Sequence, residues 1–112
     1  MKGDEEKMKK FNYGVYKDCF FRKDVYRNNG NTAIQLFGKY EENFDEPISV
    51  ISINTKETYP DGMFVLKNYG ENENVDVLIE QGFFQTMGMQ LVGKMVCPVV
   101  MITEKFKEYC LN

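Results

Sequence analysis

The sequence predicts an α+β domain whose antiparallel sheet is built from hairpins and covered on one side by a short central helix and a C-terminal helix. Three observations predict it. Aromatic and β-branched residues gather in short stretches separated by turn residues, beginning with Phe11 to Tyr16 and Cys19 to Tyr26. Between Gly70 and Gly82 the apolar spacing becomes helical, with Val75, Leu78 and Ile79 in step. A chain of 112 residues, 43% hydrophobic with 9 Phe and 7 Tyr, is large enough and bulky enough to fill one core.

In chain order, residues 1–10 are charged and have little to bury, so they read as a flexible leader to a single domain over 11–112. Lys17-Asp18 is the expected reversal of a first hairpin. Asn28-Asn29-Gly30-Asn31 is a turn, because these residues accept positive φ at low cost. Thr32 to Tyr40 and Ile48 to Ile53 alternate as a second pair of strands, with Ile34 and Leu36 on one face and Ala33 and Phe37 on the other. Tyr59-Pro60-Asp61-Gly62 turns the chain into a strand from Met63 to Lys67, with Pro60 at the first corner. In the central helix Asn72 or Asn74 is the expected cap, and Gly82 takes the left-handed conformation that ends it. Phe83 to Val92, interrupted by Gly88, reads as a loop running into a strand. Lys94 to Ile102 is a strand whose Pro98 requires an edge position or a bulge. Thr103-Glu104 opens a last helix with Phe106, Tyr109 and Cys110 inward.

The totals exclude several classes. Fourteen Lys and Arg against 17 Asp and Glu leave a net charge of -3, too mild to select nucleic acid as a partner. No apolar run approaches the ~20 residues of a spanning helix, and the polar start is no secretory signal, so neither a membrane nor export is expected. Three cysteines, Cys19, Cys97 and Cys110, lack CxxC spacing, which argues against a disulfide framework or a zinc site and for the cytoplasm. With His at 0 the commonest general base and metal ligand is missing, so no enzyme and no cofactor are expected.

The stretches Asn29 to Leu36, Pro47 to Asn54 and Phe64 to Glu73, followed by Gly82 and Val96-Cys97-Pro98-Val99, resemble a family known as domain of unknown function 4313. Lys67-Asn68-Tyr69-Gly70-Glu71-Asn72-Glu73 is their most distinctive part, and Thr103 to Asn112 extend beyond the family's usual end. The resemblance implies an accessory protein of bacterial plasmids, conjugative elements or phages, without assigned activity or catalytic residues. Small cargo proteins of such elements often bind a host defence nuclease, a repressor or a conjugation component, as anti-restriction and anti-CRISPR proteins do.

Two segments are candidate contacts for a host or element-encoded protein. The loop Glu41-Glu42-Asn43-Phe44-Asp45-Glu46 carries four carboxylates around one aromatic anchor, which suits a basic patch on a partner. A solvated hairpin loop accounts for the same residues, and the spacing needed for calcium is absent. Tyr69, Glu71 and Glu73 lie where a strand passes into a helix start, a place able to hold an anion or a peptide end, although the two glutamates repel phosphate. Helix capping explains the neighbouring asparagines without a ligand. The alternative is a single-stranded nucleic-acid platform in which Lys17, Arg22, Lys23 and Arg27 interleave with aromatics. Strand alternation, aromatics inward and cations outward, explains that pattern without a ligand and is the preferred account, given the mild charge. Self-association through a sheet edge near Pro98 is a further expectation.

Overall fold

A computed structural model describes residues 8–41 and 44–111. Among them, short aromatic and β-branched stretches form nine strands divided between two sheets. In the first sheet β1 (Phe11–Tyr13), β2 (Tyr16–Val25), β3 (Thr32–Lys39) and β4 (Glu46–Val50) follow in order, all antiparallel. β9 (Cys110–Leu111) lies parallel to β2 beside Phe21 and Arg22, on the side whose earlier half β1 occupies. The second sheet runs β5 (Ser52–Ile53), β6 (Met63–Leu66), β8 (Met95–Ile102) and β7 (Phe84–Val92), also antiparallel. A 3-10 turn at Gly70–Asn72 and two short helices, α1 (Val77–Glu80) and α2 (Glu104–Glu108), complete the fold. No helix among the described residues is long and apolar enough to cross a membrane.

The α+β class is as the sequence predicts, but one helix-covered sheet is not what forms. Ile48 to Ile53, expected as one strand, breaks at Ile51. The Ile51 N–H donates to Ile34 in β3, and its carbonyl accepts from Lys67 beyond β6, so the chain leaves one sheet and enters the other there. Each helix is barely a turn long and covers little. The apolar faces of the sheets bury each other instead, Cys19, Phe21, Ile34 and Leu36 from the first with Phe64, Leu66, Phe84 and Val100 from the second. Val75, Leu78, Phe83 and Phe106 close the ends of this core. Phe21 is its hub, with ring centroids of Phe106 at 4.8 Å, Phe11 and Phe83 at 5.2 Å and Phe84 at 5.6 Å. A smaller cluster of Val65, Cys97 and Val99 fills the opposite face of the second sheet.

Several local expectations change. The first hairpin turns at Gly14-Val15, where Gly14 takes φ +58°, and not at Lys17-Asp18. Lys17-Asp18 forms a bulge instead: Asp18 has φ +52° and the β2–β3 register slips between Lys17 and Phe20. Beyond the slip Cys19, Phe20 and Phe21 are buried in succession, because Phe20 stacks on Phe37 on the outer face while its neighbours enter the core. The Asn28 to Asn31 turn forms as expected, held by Tyr26 N–H to Asn31 and Gly30 N–H to Tyr26. In the next turn Met63 N–H bonds Pro60, so Asp61 and Gly62 are the corners and Pro60 precedes them.

The central helix is shorter than its periodicity suggests, and no asparagine caps it. Asp76 holds the N-cap position without a side-chain capping bond. Its end follows the sequence: with Gly82 at φ +89°, Gly82 N–H bonds Ile79 and Phe83 N–H bonds Leu78, the paired bonds of a Schellman motif. Phe84 to Val92 is a full strand, its irregularity confined to a bulge between Thr86 and Gly88. β8 is an inner strand, yet Pro98 lies one residue past the last β6 partner, Val99 opposite Val65, so on that side it has the locally open edge that the sequence requires. At the C-terminus Thr103 caps α2 by accepting from Phe106 N–H, and Cys110 leaves the helix for β9. Near the start, Lys9 N–H donates to the Glu108 carbonyl and its ammonium pairs with the Glu108 carboxylate.

Gly38 in β3 lies where an added Cβ would meet Cys19 Sγ at 2.7 Å and Ile48 Cδ1 at 2.9 Å, whereas one at Gly88 meets open space. Gly38→Ala is expected to lower unfolding stability by about 1–3 kcal/mol in urea titrations. Gly88→Ala is expected to stay within about 0.5 kcal/mol of the parent.

Candidate functional site

A groove of about 920 Å³ opens between the first hairpin turn, β4 and the segment from Glu71 to Gln81. Each wall has a local cause. Gly14 reverses the hairpin and leaves Tyr13, Val15 and Tyr16 on one wall, with Val15 64% exposed at the mouth. Ile48 and Ser49 of β4 form the second wall, and Leu36 and Ile51, both fully buried, contribute apolar floor.

The third wall is held by one buried side chain. Asn72, expected as a helix cap, turns inward: its Nδ2 donates to the Val50 carbonyl at 3.1 Å and its Oδ1 accepts from the Ser49 hydroxyl. This fastens the 3-10 turn to β4 and leaves Glu71, Glu73 and Asp76 exposed along the rim, with Val77 below them. Asp76 accepts from Asn68 Nδ2 at 3.2 Å. Among the described residues no lysine or arginine lines the groove, and none forms an ion pair with these three carboxylates. Burial pushes the Tyr13 phenol up from its ordinary value, so it remains a hydrogen-bond donor in neutral water. An apolar floor beneath three uncompensated carboxylates favours a cationic, partly aliphatic occupant and repels an anion.

Of the residues singled out in the sequence, Glu71 and Glu73 belong to this groove. Tyr69 does not; it packs on the opposite side with Val65, Cys97 and Val99, and the Lys67 ammonium lies 5.7 Å from its ring centroid. The acidic loop lies outside the lining. Glu41 and Phe44 are exposed, Glu46 is half-buried at the start of β4, and Glu42 falls outside the described residues. Asp45 is neutralised by Lys39 at 2.9 Å, a cation it shares with Asp18 at 3.9 Å. The loop is therefore less acidic than its composition suggests.

Lys17, Arg22 and Arg27 are exposed, while Lys23 pairs with Asp61 at 2.8 Å. The neighbouring rings are engaged elsewhere: Phe21 is in the core, and Phe20 lies between Phe37 and the Lys10 ammonium. Tyr13, Val15, Tyr16, Ile48 and Ser49 had no mark as site residues in the sequence, since only the tertiary fold brings them to Glu71 and Glu73. Asp76 was legible only as an acid near a helix start.

The thiols are poorly placed for nucleophilic work. Burial raises all three, Cys19 from 9.0 to about 11, although a backbone N–H opposes the shift in each case. Cys19 and Cys97 are fully buried. Among the described residues, no group of three or more His, Cys, Asp or Glu side chains is placed to hold a metal ion.

No family model matches the chain, and neither a curated protein nor a solved structure matches it. The resemblance to domain of unknown function 4313 thus rests on the segments quoted above.

Removing the Asn72 carboxamide strands the Val50 carbonyl. Asn72→Ala is expected to cost about 1–3 kcal/mol of stability and to speed amide exchange over residues 70–76. Cys19 sets a pH dependence: its folded value exceeds its unfolded one, so the unfolded chain loses this proton first as pH rises. The stabilisation is full below pH 9.0 and is lost progressively towards about 11. Cys19→Ala, compared with the parent by denaturant titration at pH 8 and pH 10.5, is expected to flatten that decline.

Proposed function

We propose that this protein is a non-catalytic accessory factor of a bacterial plasmid, conjugative element or phage, and that it acts in the cytoplasm by binding another protein. The observation that carries the binding role is the groove: an apolar floor, two tyrosines and three carboxylates with no counter-cation among the described residues. That chemistry suits a basic segment of a partner, its aliphatic stems lying on Ile48, Val77 and Leu36 and its charged ends meeting Glu71, Glu73 and Asp76. Buried, protonated thiols and the absence of imidazole support a role without turnover. The mobile-element setting rests on the family resemblance. Inhibition of a host defence nuclease follows as the form of action we favour, because such enzymes present basic nucleic-acid-binding surfaces to an acidic groove. Glu41 and Phe44 would extend the contact from the loop that precedes β4.

The probe is a fluorescently labelled peptide of alternating lysine and leucine, titrated by anisotropy, with a glutamate–leucine peptide as control. The parent protein is expected to bind the first and ignore the second. The triple variant Glu71→Lys, Glu73→Lys, Asp76→Lys is expected to fold normally and to lose about tenfold or more in affinity, since rim charges contribute about 0.2–1 kcal/mol each and reversal adds repulsion. Equal affinity of the parent and the triple variant, or no binding by the parent, would remove the groove from the account.

A further inference from the structure

The surface of greatest apolar exposure lies on the β7–β8 hairpin, not in the groove. Met89, Leu91 and Val96 are 60%, 65% and 57% exposed, and β7 forms the outer edge of its sheet. None of the nine residues Phe84 to Val92 carries a charge. Edge strands are normally shielded by lysine, proline, covering elements or bulges, and here the protection is a single bulge between Thr86 and Gly88. From Gly88 to Val92 the register with β8 is unbroken, which leaves an uncovered, uncharged strand edge.

The direction of the free backbone groups follows from the turn. Gly93-Lys94 is a two-residue loop between Val92 and Met95, and such a loop closes on a hydrogen-bonded pair. Hydrogen-bonded and open pairs then alternate, so Gln90 with Cys97 is bonded, while Leu91 with Val96 and Met89 with Pro98 are open. Pro98, without an N–H, fits that open position. The main-chain N–H and C=O groups of Met89 and Leu91 therefore point away from β8, where the Leu91 carbonyl accepts from the side chain of its own neighbour, Gln90 Nε2, at 3.2 Å.

We propose that this edge pairs with the same edge of a second copy of the chain, antiparallel about a two-fold axis at Gln90. In that register Met89 of each copy faces Leu91 of the other, and both residues already present their donors and acceptors outward. Four main-chain hydrogen bonds form. On one face the two Met89 and two Leu91 side chains meet, flanked by Val96 from each β8. On the other face each Gln90 Oε1 keeps its bond from Tyr59 Oη at 2.8 Å within its own chain, while its Nε2 yields the Leu91 carbonyl to the Met89 N–H of the other copy. A charged segment would find no counter-charge on β7, whereas a second copy brings an equally uncharged strip, so the net charge of -3 weakens the pairing without setting carboxylates against each other at the contact. The contact is isologous and closed, so it stops at a dimer. No β7 residue lines the groove, so this pairing is independent of partner capture.

Light scattering after size exclusion, over a micromolar to millimolar concentration series, is expected to show mass rising from 13.1 kDa towards twice that value. Leu91→Lys is expected to weaken the dimer by about a hundredfold, since a two-fold contact carries each substitution twice, with the melting of the dilute monomer unchanged. A second readout needs no variant: in the parent, the Met89 and Leu91 amides should exchange fast when dilute and become protected as the dimer forms. A parent that stays monomeric across the series overturns the proposal. So does a dimer in which these two amides still exchange fast, or one that Leu91→Lys leaves intact while folded.

Discussion

The architecture depends on Ile51. A strand that continued past Val50 would keep all the pairing in one sheet and leave its apolar face in need of helices the chain does not provide. By donating to Ile34 and accepting from Lys67, the Ile51 backbone satisfies one group in each sheet, and its side chain is fully buried at the junction. Both sheets can then bury their apolar faces against each other. Polar bonds hold the same junction. The Ser52 hydroxyl accepts from Ile34 N–H and lies 3.0 Å from the Tyr26 hydroxyl, and the buried Asn31 carboxamide donates to the Asn54 side chain and the Glu57 carbonyl while accepting from Tyr59 N–H. These bonds keep a long irregular stretch, Asn54 to Tyr59, in one conformation without a core of its own.

The groove is a by-product of the same arrangement. Once the chain turns away at Ile51, the end of β4 has no neighbour beyond it except the segment that Asn72 fastens there. The first hairpin, tightened by Gly14, stands opposite. Apolar floor and acidic rim therefore come from different parts of the chain with different local reasons: Leu36 faces inward from β3 and Ile51 from the junction between the sheets, while Glu71, Glu73 and Asp76 face outward from a turn and a helix start. Their convergence gives the site its chemistry, and no short stretch of residues contains it.

That difference also explains what was legible in the sequence. Features set by a few adjacent residues could be read: the Gly82 helix end, the Asn28 to Asn31 turn, the alternation of Thr32 to Lys39 and the Thr103 cap. Features set by competition between distant partners could not. The break at Ile51 is invisible because Ile48 to Ile53 alternates as one strand would, and Lys17-Asp18 resembles a turn because a bulge draws on the same residues. Phe83 to Val92 read as a loop running into a strand, since Gly88 weakens a pattern that its pairing with β8 restores over the whole length. Within the site, Glu71 and Glu73 stood out as exposed acids beside a helix start. Tyr69 was placed with them by proximity alone, although the turn at Gly70 sends it to the opposite face.

The closing segment adds a constraint of timing. Phe106 stacks on Phe21, and Cys110 and Leu111 take up the free side of β2, so the hub of the core is completed by residues more than eighty positions downstream. A ribosome delivers Phe21 early and this part of its cover much later. Until α2 and β9 have emerged, the nascent polypeptide carries Phe21 without the ring that stacks on it and without the strand that covers the second half of that side of β2.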